Sequence, residues 1–141
     1  MKLERLLESA CATVDLSRLP LVVQTLKSIN PSIEQTEEHL TLTEHVLKNS
    51  SGPLYIISDM TAMKWAPIKS IICLGKGMFH LDKTYPTRIQ FHVFVNPTRI
   101  IRMSIPFFNL FARLEGHQIC TDTKEEAIDW ISLQTGIPFY E

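Results

Sequence analysis

The feature that most constrains the fold is a short apolar segment near the middle of the chain, residues 54–58. Its residues, Leu-Tyr-Ile-Ile-Ser, are mostly apolar types that favour strands. A Gly-Pro pair precedes them and Asp59 follows. A continuous apolar run of this length, bounded by turn residues, is typical of a strand buried on both faces. We therefore predict a central parallel strand that lies between helices on both sides of a sheet.

Strand-like and helix-like patterns alternate along the rest of the chain, in the order β-β-α-β-α-β-α-β-α. The predicted strands are residues 10–16, 21–26, 54–58, 88–95 and 117–121, and the predicted helices are residues 33–49, 66–79, 97–114 and 124–134. Ser32 with Gln35, and Thr123 with Glu126, form capping-box patterns at two helix starts. We expect one α/β domain, a layered mixed sheet of about five strands covered by helices. The first two strands form an antiparallel hairpin at one side, and the last six residues form a tail.

Two stretches carry weaker patterns. Leucines at helical spacing within residues 1–9 predict a short helix or a frayed lead-in. In the predicted helix at residues 66–79, we expect Ile68, Ile71 and Ile72 to face the sheet. A loop should follow that helix and reach the next strand.

The composition is that of an ordinary folded protein. The 141 residues are 45% hydrophobic and 21% charged, which fits a single domain with its own core. The net charge of −1 gives no basic footprint for nucleic acid. No apolar run approaches the roughly 20 residues that a transmembrane segment needs, and no signal-peptide core is present. Cys11, Cys73 and Cys120 lack CxxC spacing, so we expect free thiols and a cytoplasmic protein.

No catalytic, cofactor or metal signature appears in the sequence. There is no P-loop, no dinucleotide glycine fingerprint and no HExxH pattern. His39 and His45 are six residues apart on a predicted helix and point to roughly opposite sides, whereas zinc needs three or four converging ligands. We interpret the five histidines as surface or partly buried side chains. The sequence therefore predicts a non-enzymatic protein that uses no cofactor and no metal ion.

The turn after the central strand is the first candidate binding site. In open α/β sheets, ligands bind beyond the carboxyl ends of the strands. The candidates there are Ser58, Asp59, Thr61 and Trp65. The Asp59 carboxylate either orients a ligand or partner, or caps the turn by accepting backbone hydrogen bonds. We favour turn capping for Asp59 and packing for the Trp65 ring, and keep all four residues as binding candidates.

The predicted helix at residues 97–114 is the second candidate, because it is apolar on most of its sides. Arg99 and Arg102 lie near one stripe of this helix and are predicted binding residues. The apolar side chains are too many for one face of a sheet to cover. The candidate interface residues among them are Ile105, Phe107, Phe108 and Phe111. Three interpretations are open: a core helix with a solvated arginine edge, a homodimer interface, or a surface that contacts lipid.

Four stretches of the sequence carry a resemblance to a known family. They are Leu-Tyr-Ile-Ile-Ser-Asp-Met at 54–60, Phe-His-Val-Phe-Val-Asn-Pro at 91–97, Ile-Pro-Phe-Phe at 105–108, and Ile-Cys-Thr-Asp-Thr-Lys-Glu-Glu-Ala-Ile-Asp-Trp-Ile at 119–131. Over about residues 10–133, the chain resembles the sulfate-transporter and anti-sigma-factor-antagonist (STAS) domain. More narrowly, it resembles the SpoIIAA-like stand-alone bacterial proteins, which share a superfamily with the CRAL–TRIO lipid carriers.

The resemblance implies a SpoIIAA-like fold and a regulatory role. STAS antagonists switch by phosphorylation of a Ser or Thr at the start of the helix after the central strand, in a motif close to Asp-Ser-Ser-Gly. The matching position here reads Ala66-Pro67-Ile68-Lys69, so the phosphoacceptor is absent from its expected place. The expected function is a non-enzymatic STAS-like regulatory or protein-interaction module with a protein partner. The alternative is a small carrier of an apolar, lipid-like ligand.

Overall fold

The computed structural model of the chain describes residues 3–63, 65–99, 102–103 and 118–139. Within these residues, one sheet contains six strands in chain order. The strands are β1 (Leu6–Glu8), β2 (Ala12–Arg18), β3 (Leu21–Leu26), β4 (Leu54–Asp59), β5 (Ile89–Val95) and β6 (Gln118–Thr121). The helices with described bounds are α1 (Ile33–Lys48), α2 (Ile68–Thr84) and α3 (Lys124–Thr135). The first three strands pair antiparallel and β3 to β6 pair parallel, which confirms the predicted mixed α/β class and the hairpin.

The central strand β4 lies between β3 and β5 and is buried on both faces, as predicted. Tyr55 and Ile57 face α3 and share a core with its apolar residues Ala127, Ile128 and Ile131. Leu54 and Ile56 face the opposite way, toward α1 and α2. Their core partners on these helices are Val46, Leu47 and Leu81. Because alternate side chains of β4 belong to the apolar cores on opposite faces of the sheet, β4 connects these two cores.

The helix caps at two predicted positions are formed. The Ser32 hydroxyl accepts a hydrogen bond from the Gln35 N–H at 3.1 Å, and the Gln35 side chain accepts one from the Ser32 N–H at 3.0 Å. The Thr123 hydroxyl accepts a hydrogen bond from the Glu126 N–H at 3.2 Å. These bonds satisfy N–H groups that have no partner inside the first turn of a helix.

The N-terminal prediction was wrong for residues 6–8, which form the edge strand β1 and not a helix. The Ser9 hydroxyl oxygen accepts hydrogen bonds from the N–H groups of Cys11 and Ala12 at 3.2 and 3.1 Å. This local turn reverses the direction of the chain, so that β2 pairs antiparallel with β1. The sheet therefore has six described strands, one more than expected.

Helix α2 is longer than predicted and differently oriented. It continues to Thr84, so most of the predicted loop after residue 79 is helical. Ile71 is buried, but Ile68 and Ile72 are exposed, contrary to the expectation that all three face the sheet. Gly77 lies where α2 crosses α1: a Cβ at this position would be 2.2 Å from Leu40 Cδ1. The glycine thus allows a close helix contact.

The predicted C-terminal tail reaches the core at Phe139, the last residue that the structure describes. Phe139 is buried and its ring contacts Tyr55 edge-on, with 6.2 Å between centroids. Arg18 Nη1 donates a hydrogen bond to the Phe139 carbonyl at 3.1 Å. Of the helix predicted at residues 97–114, the described residues Arg99, Arg102 and Met103 are helical.

Candidate functional site

The carboxyl ends of β4, β5 and β6 form one edge of the sheet, where the described binding candidates lie. Asp59 is the register partner of Val95, and Val95 is the register partner of Thr121. The Met60 N–H donates a hydrogen bond to the Val95 carbonyl at 2.9 Å, which holds the turn after β4 against β5. The turn from Asp59 to Trp65 and the arginines that follow β5 are therefore placed at the same edge.

The Asp59 carboxylate holds the turn together. Its Oδ1 accepts hydrogen bonds from the Thr61 N–H at 3.1 Å and from the Thr61 hydroxyl at 2.7 Å. Beneath this turn, Met60, Met63 and Ala66 are buried with Ile71 of α2. The geometry agrees with the turn-capping interpretation, and a binding role for Asp59 and Thr61 stays a prediction.

Three large apolar side chains are exposed in the first turns of α2 and just before it, and we call them the α2 stripe. Trp65 is 51% exposed, Ile68 is 64% exposed and Ile72 is 46% exposed. Ile68 and Ile72 are one helical turn apart and so lie on the same side of α2. Lys69 and Lys76 are exposed on the same helix. The expectation that Trp65 packs inside is wrong, because half of its surface faces solvent.

The hydroxyl nearest to the expected phosphoacceptor position on α2 is not at the surface. Ser70 is buried, and its hydroxyl donates a hydrogen bond to the Pro31 carbonyl at 2.6 Å. This bond ties the start of α2 to the residue that precedes the α1 cap. A kinase that phosphorylated Ser70 would first have to separate these two helices.

The arginines after β5 are at the surface. Arg99 is exposed, and Arg102 lies 3.9 Å from Asp122 in an ion pair with both side chains exposed. Solvent screens such a pair, so it contributes little to stability and leaves Arg102 available to a partner. The predicted interface residues lie outside the described residues. They are Ile105, Phe107, Phe108 and Phe111.

A row of polar side chains, all buried except the half-buried His39, crosses the sheet on the side of α1 and α2. We call it the polar row; in spatial order it contains Ser9, His39, Gln24, Ser58 and His92. His39 Nδ1 is 3.1 Å from the Ser9 hydroxyl, and His39 Nε2 is 2.6 Å from Gln24 Oε1. Gln24 and Ser58 are register partners on neighbouring strands. The Ser58 hydroxyl is 2.7 Å from His92 Nε2.

Both histidines of the polar row are neutral at physiological pH. Burial lowers the pKa of His92 to about 3, and the nearby His39 lowers it further. Burial also lowers the pKa of His39, against the opposing effect of the Glu38 carboxylate. In neutral His39, Nε2–H donates to Gln24 Oε1, so Nδ1 accepts from the Ser9 hydroxyl.

The contact between Ser58 and His92 resembles a nucleophile and its general base, but its surroundings do not suit catalysis. Ser58 is 4% exposed and His92 is 8% exposed, so a substrate cannot reach the pair in this conformation. A base with a pKa near 3 also takes up a proton poorly at neutral pH. The pair therefore belongs to the interior of the protein.

Sequence reasoning missed the polar row. His92 was interpreted as a surface or partly buried histidine, and this is wrong because it is buried on β5. The available signal was a histidine between phenylalanine and valine in one predicted strand, and a serine at the end of the apolar run in another. Pairing the two required the register of β4 and β5, which the sequence does not specify.

Other kinds of site find little support among the described residues. Burial raises the pKa of the Cys11, Cys73 and Cys120 thiols, which makes them poor nucleophiles. No group of three His, Cys, Asp or Glu side chains within the described ranges is placed to hold a metal ion. Among the helices that the structure describes, none has the length and apolar character needed to cross a membrane.

Comparison with known proteins supports the fold. No protein-family model and no curated protein sequence matches the chain. A solved structure that is similar is an uncharacterized DUF3478-family protein with a SpoIIAA-like fold from Shewanella loihica PV-4. It has a TM-score of 0.59 and 14% identity, and the match covers 92% of this chain and 98% of that chain. At this identity the likeness concerns the fold alone: the chain has a SpoIIAA-like fold, as the resemblance implied.

Proposed function

We propose that the chain is a non-enzymatic, STAS-like regulatory module that binds a protein partner at the carboxyl edge of its sheet. The observation that carries this proposal is the α2 stripe. Trp65, Ile68 and Ile72 expose about half or more of their surfaces, and they follow closely on the turn after the central strand. Tryptophan is enriched among the residues that dominate binding energy in protein interfaces, and grouped exposed apolar residues mark interaction sites.

The charges around the stripe define the kind of partner. Lys69 and Lys76 are exposed on α2, and Arg99 and Arg102 are exposed along the same edge of the sheet. These cations suit the polar rim of an interface whose apolar centre is the α2 stripe. The partner surface that fits is an apolar patch bordered by carboxylates.

The interior supports a binding role over a chemical one. Two serine–histidine contacts occur among the described residues, and the serine is buried in both: Ser58 with His92, and Ser9 with His39. The Asp59 carboxylate is engaged by Thr61 within the turn. The α2 stripe and the cations near it can bind a partner without needing a reactive group.

Substitutions in the α2 stripe should remove partner binding without unfolding the protein. In affinity capture from source cells, Ile68→Glu and Ile72→Glu should reduce recovery of a specific partner by about tenfold or more, since each places a charge at an apolar contact. The matched control is Leu133→Glu, because Leu133 is 79% exposed on α3, on the other side of the sheet. Circular dichroism should show all three variants folded. Equal recovery by wild type and both stripe variants, or equal loss in Leu133→Glu, would contradict the proposal.

A second candidate function, the carrier of an apolar ligand, is supported by a cleft at the opposite edge of the sheet. This cleft has a volume of about 480 Å³. Its lining includes Leu19, Pro20, Pro53, Tyr55 and Ile137. Such a volume suits a small apolar molecule. Native mass spectrometry of the purified protein should then show a co-purified ligand as added mass, lost in Leu19→Glu. A wild-type spectrum at the bare chain mass would exclude this candidate.

A further inference from the structure

A small pocket lies between α2, β5 and β6, at the end of the polar row. Its described lining includes Met78 and Asp82 from α2, His92 from β5 and Gln118 from β6. Its volume is about 10 Å³, close to the space that one water molecule needs. The pocket is thus too small for a metabolite.

Three buried polar side-chain atoms have no hydrogen-bond partner among the described residues, and two of them belong to residues that line this pocket. These two are His92 Nδ1 and Gln118 Oε1. His92 and Gln118 are register partners on the parallel strands β5 and β6, so their side chains leave the same face of the sheet side by side. Buried polar groups in folded proteins are almost always paired, with protein or with water.

The hydrogen bonding of His92 decides which of these atoms is the donor. Within the described part of the chain, the Ser58 hydroxyl has no acceptor other than His92 Nε2. If this hydroxyl donates to Nε2, the proton of the neutral ring is on Nδ1. Nδ1–H is then a buried donor without a partner on a residue that lines the pocket, and Gln118 Oε1 is a buried acceptor without one.

We propose that this pocket binds one water molecule, which accepts a hydrogen bond from His92 Nδ1–H and donates one to Gln118 Oε1. The Asp82 side chain lines the same pocket and offers an acceptor for the second hydrogen of the water. Three partners match what buried waters ordinarily have. With this water, the polar row continues from Ser58 and His92 to the carboxylate of Asp82 on α2.

A crystal structure of the full chain at about 1.5 Å resolution tests the site directly. We expect one density peak at hydrogen-bond distance, about 2.7–3.2 Å, from both His92 Nδ1 and Gln118 Oε1. An empty pocket would overturn the proposal. So would a pocket filled by a side chain, or a direct hydrogen bond between His92 and Gln118.

Nuclear magnetic resonance provides an independent test in solution. The nitrogen shifts of His92 should show a ring protonated at Nδ1, and protons that line the pocket should show cross-relaxation with a long-lived water. Gln118→Met removes one water partner and fills part of the space, so this cross-relaxation should be lost. The matched control is Gln134→Met, an exposed glutamine on α3, which should keep the signal. A ring protonated at Nε2, or no water signal in the folded wild type, would overturn the proposal.

Discussion

Replacing Ile57 with alanine is expected to lower the free energy of unfolding by about 3–4 kcal/mol, within the range measured for large-to-small substitutions in rigid cores. Ile57 has no exposed surface and lies in the middle of β4. Its register partners are Val23 on β3 and Val93 on β5, and α3 covers it with Ile131. Because strands flank it on both sides and a helix lies above, the surroundings cannot collapse into the cavity.

The matched control is Ile72→Ala, which removes the same atoms from a surface position. Ile72 is 46% exposed in α2, and alanine is the better helix former, so its effect should stay within about 0.5 kcal/mol. Urea denaturation followed by circular dichroism measures both variants, with an unchanged slope as the check on two-state behaviour. Equal costs for the two substitutions would mean that β4 is not the buried centre of the fold.

This central strand is also the element that the sequence predicts best. A fully buried strand must be apolar on both faces, so residues 54–58 differ from the alternating patterns of half-buried strands. Ser32 and Thr123 are similarly informative, because a cap is made with residues only three positions away. Features that depend on residues close in sequence, or on burial from both faces of a sheet, can therefore be predicted from the sequence.

The orientation of α2 could not be predicted in the same way. Consecutive residues in a helix differ by about 100° in direction, so Ile71 and Ile72 cannot both lie at the centre of the buried face. Which of them is buried depends on how the helix packs. Ile71 is buried because it packs against Met60 and Met63 beneath the turn after β4. Ile72 is left outside and becomes part of the α2 stripe. The candidate binding surface therefore depends on a helix rotation that the residue pattern leaves open.

The polar row is harder to predict from the sequence, because each of its contacts joins segments that are far apart along the chain. Ser9 and His39 are 30 residues apart, and Ser58 and His92 are 34 residues apart. A shift of one residue in the register of β4 on β5 would place the His92 and Ser58 side chains on opposite faces of the sheet. Ser58 was a candidate for the surface turn, and the structure places its hydroxyl inside.

Acidification should destabilise the protein well before ordinary carboxylates are protonated, because His92 is buried in its neutral form. In the unfolded chain a histidine has a pKa of about 6.5, whereas the pKa of folded His92 is lowered to about 3. As the pH falls below 6.5, the unfolded state takes up a proton that the folded state does not. The stability from His92 is therefore complete above pH 6.5 and is lost progressively between about pH 6.5 and pH 3.

The expected slope from this one group approaches 1.4 kcal/mol per pH unit, or about 2–3 kcal/mol between pH 6.5 and pH 4.5. The pKa of His39 is lowered in the same direction, so His39 adds to the effect. Glu8 and Asp15, whose pKa values are lowered in the folded state, act in the same sense, but only near and below the usual carboxyl range. The window between pH 6.5 and pH 5 therefore lies above the range of Glu8 and Asp15, and Asp82, whose pKa burial raises, acts in the opposite sense and cannot cause the loss of stability.

Urea denaturation at several pH values in this window, on wild type and two variants, separates His92 from the other histidines. His92→Phe keeps an aromatic ring beside Phe94, which stacks on His92 with centroids 4.2 Å apart. This variant is expected to be less stable at pH 7, because Ser58 loses its partner, but its stability should fall less steeply with acid. His80→Phe changes an exposed histidine on α2 and should keep the wild-type slope. If His92→Phe and wild type show the same slope, His92 is already charged or solvated in the folded protein, and the polar row does not form as described.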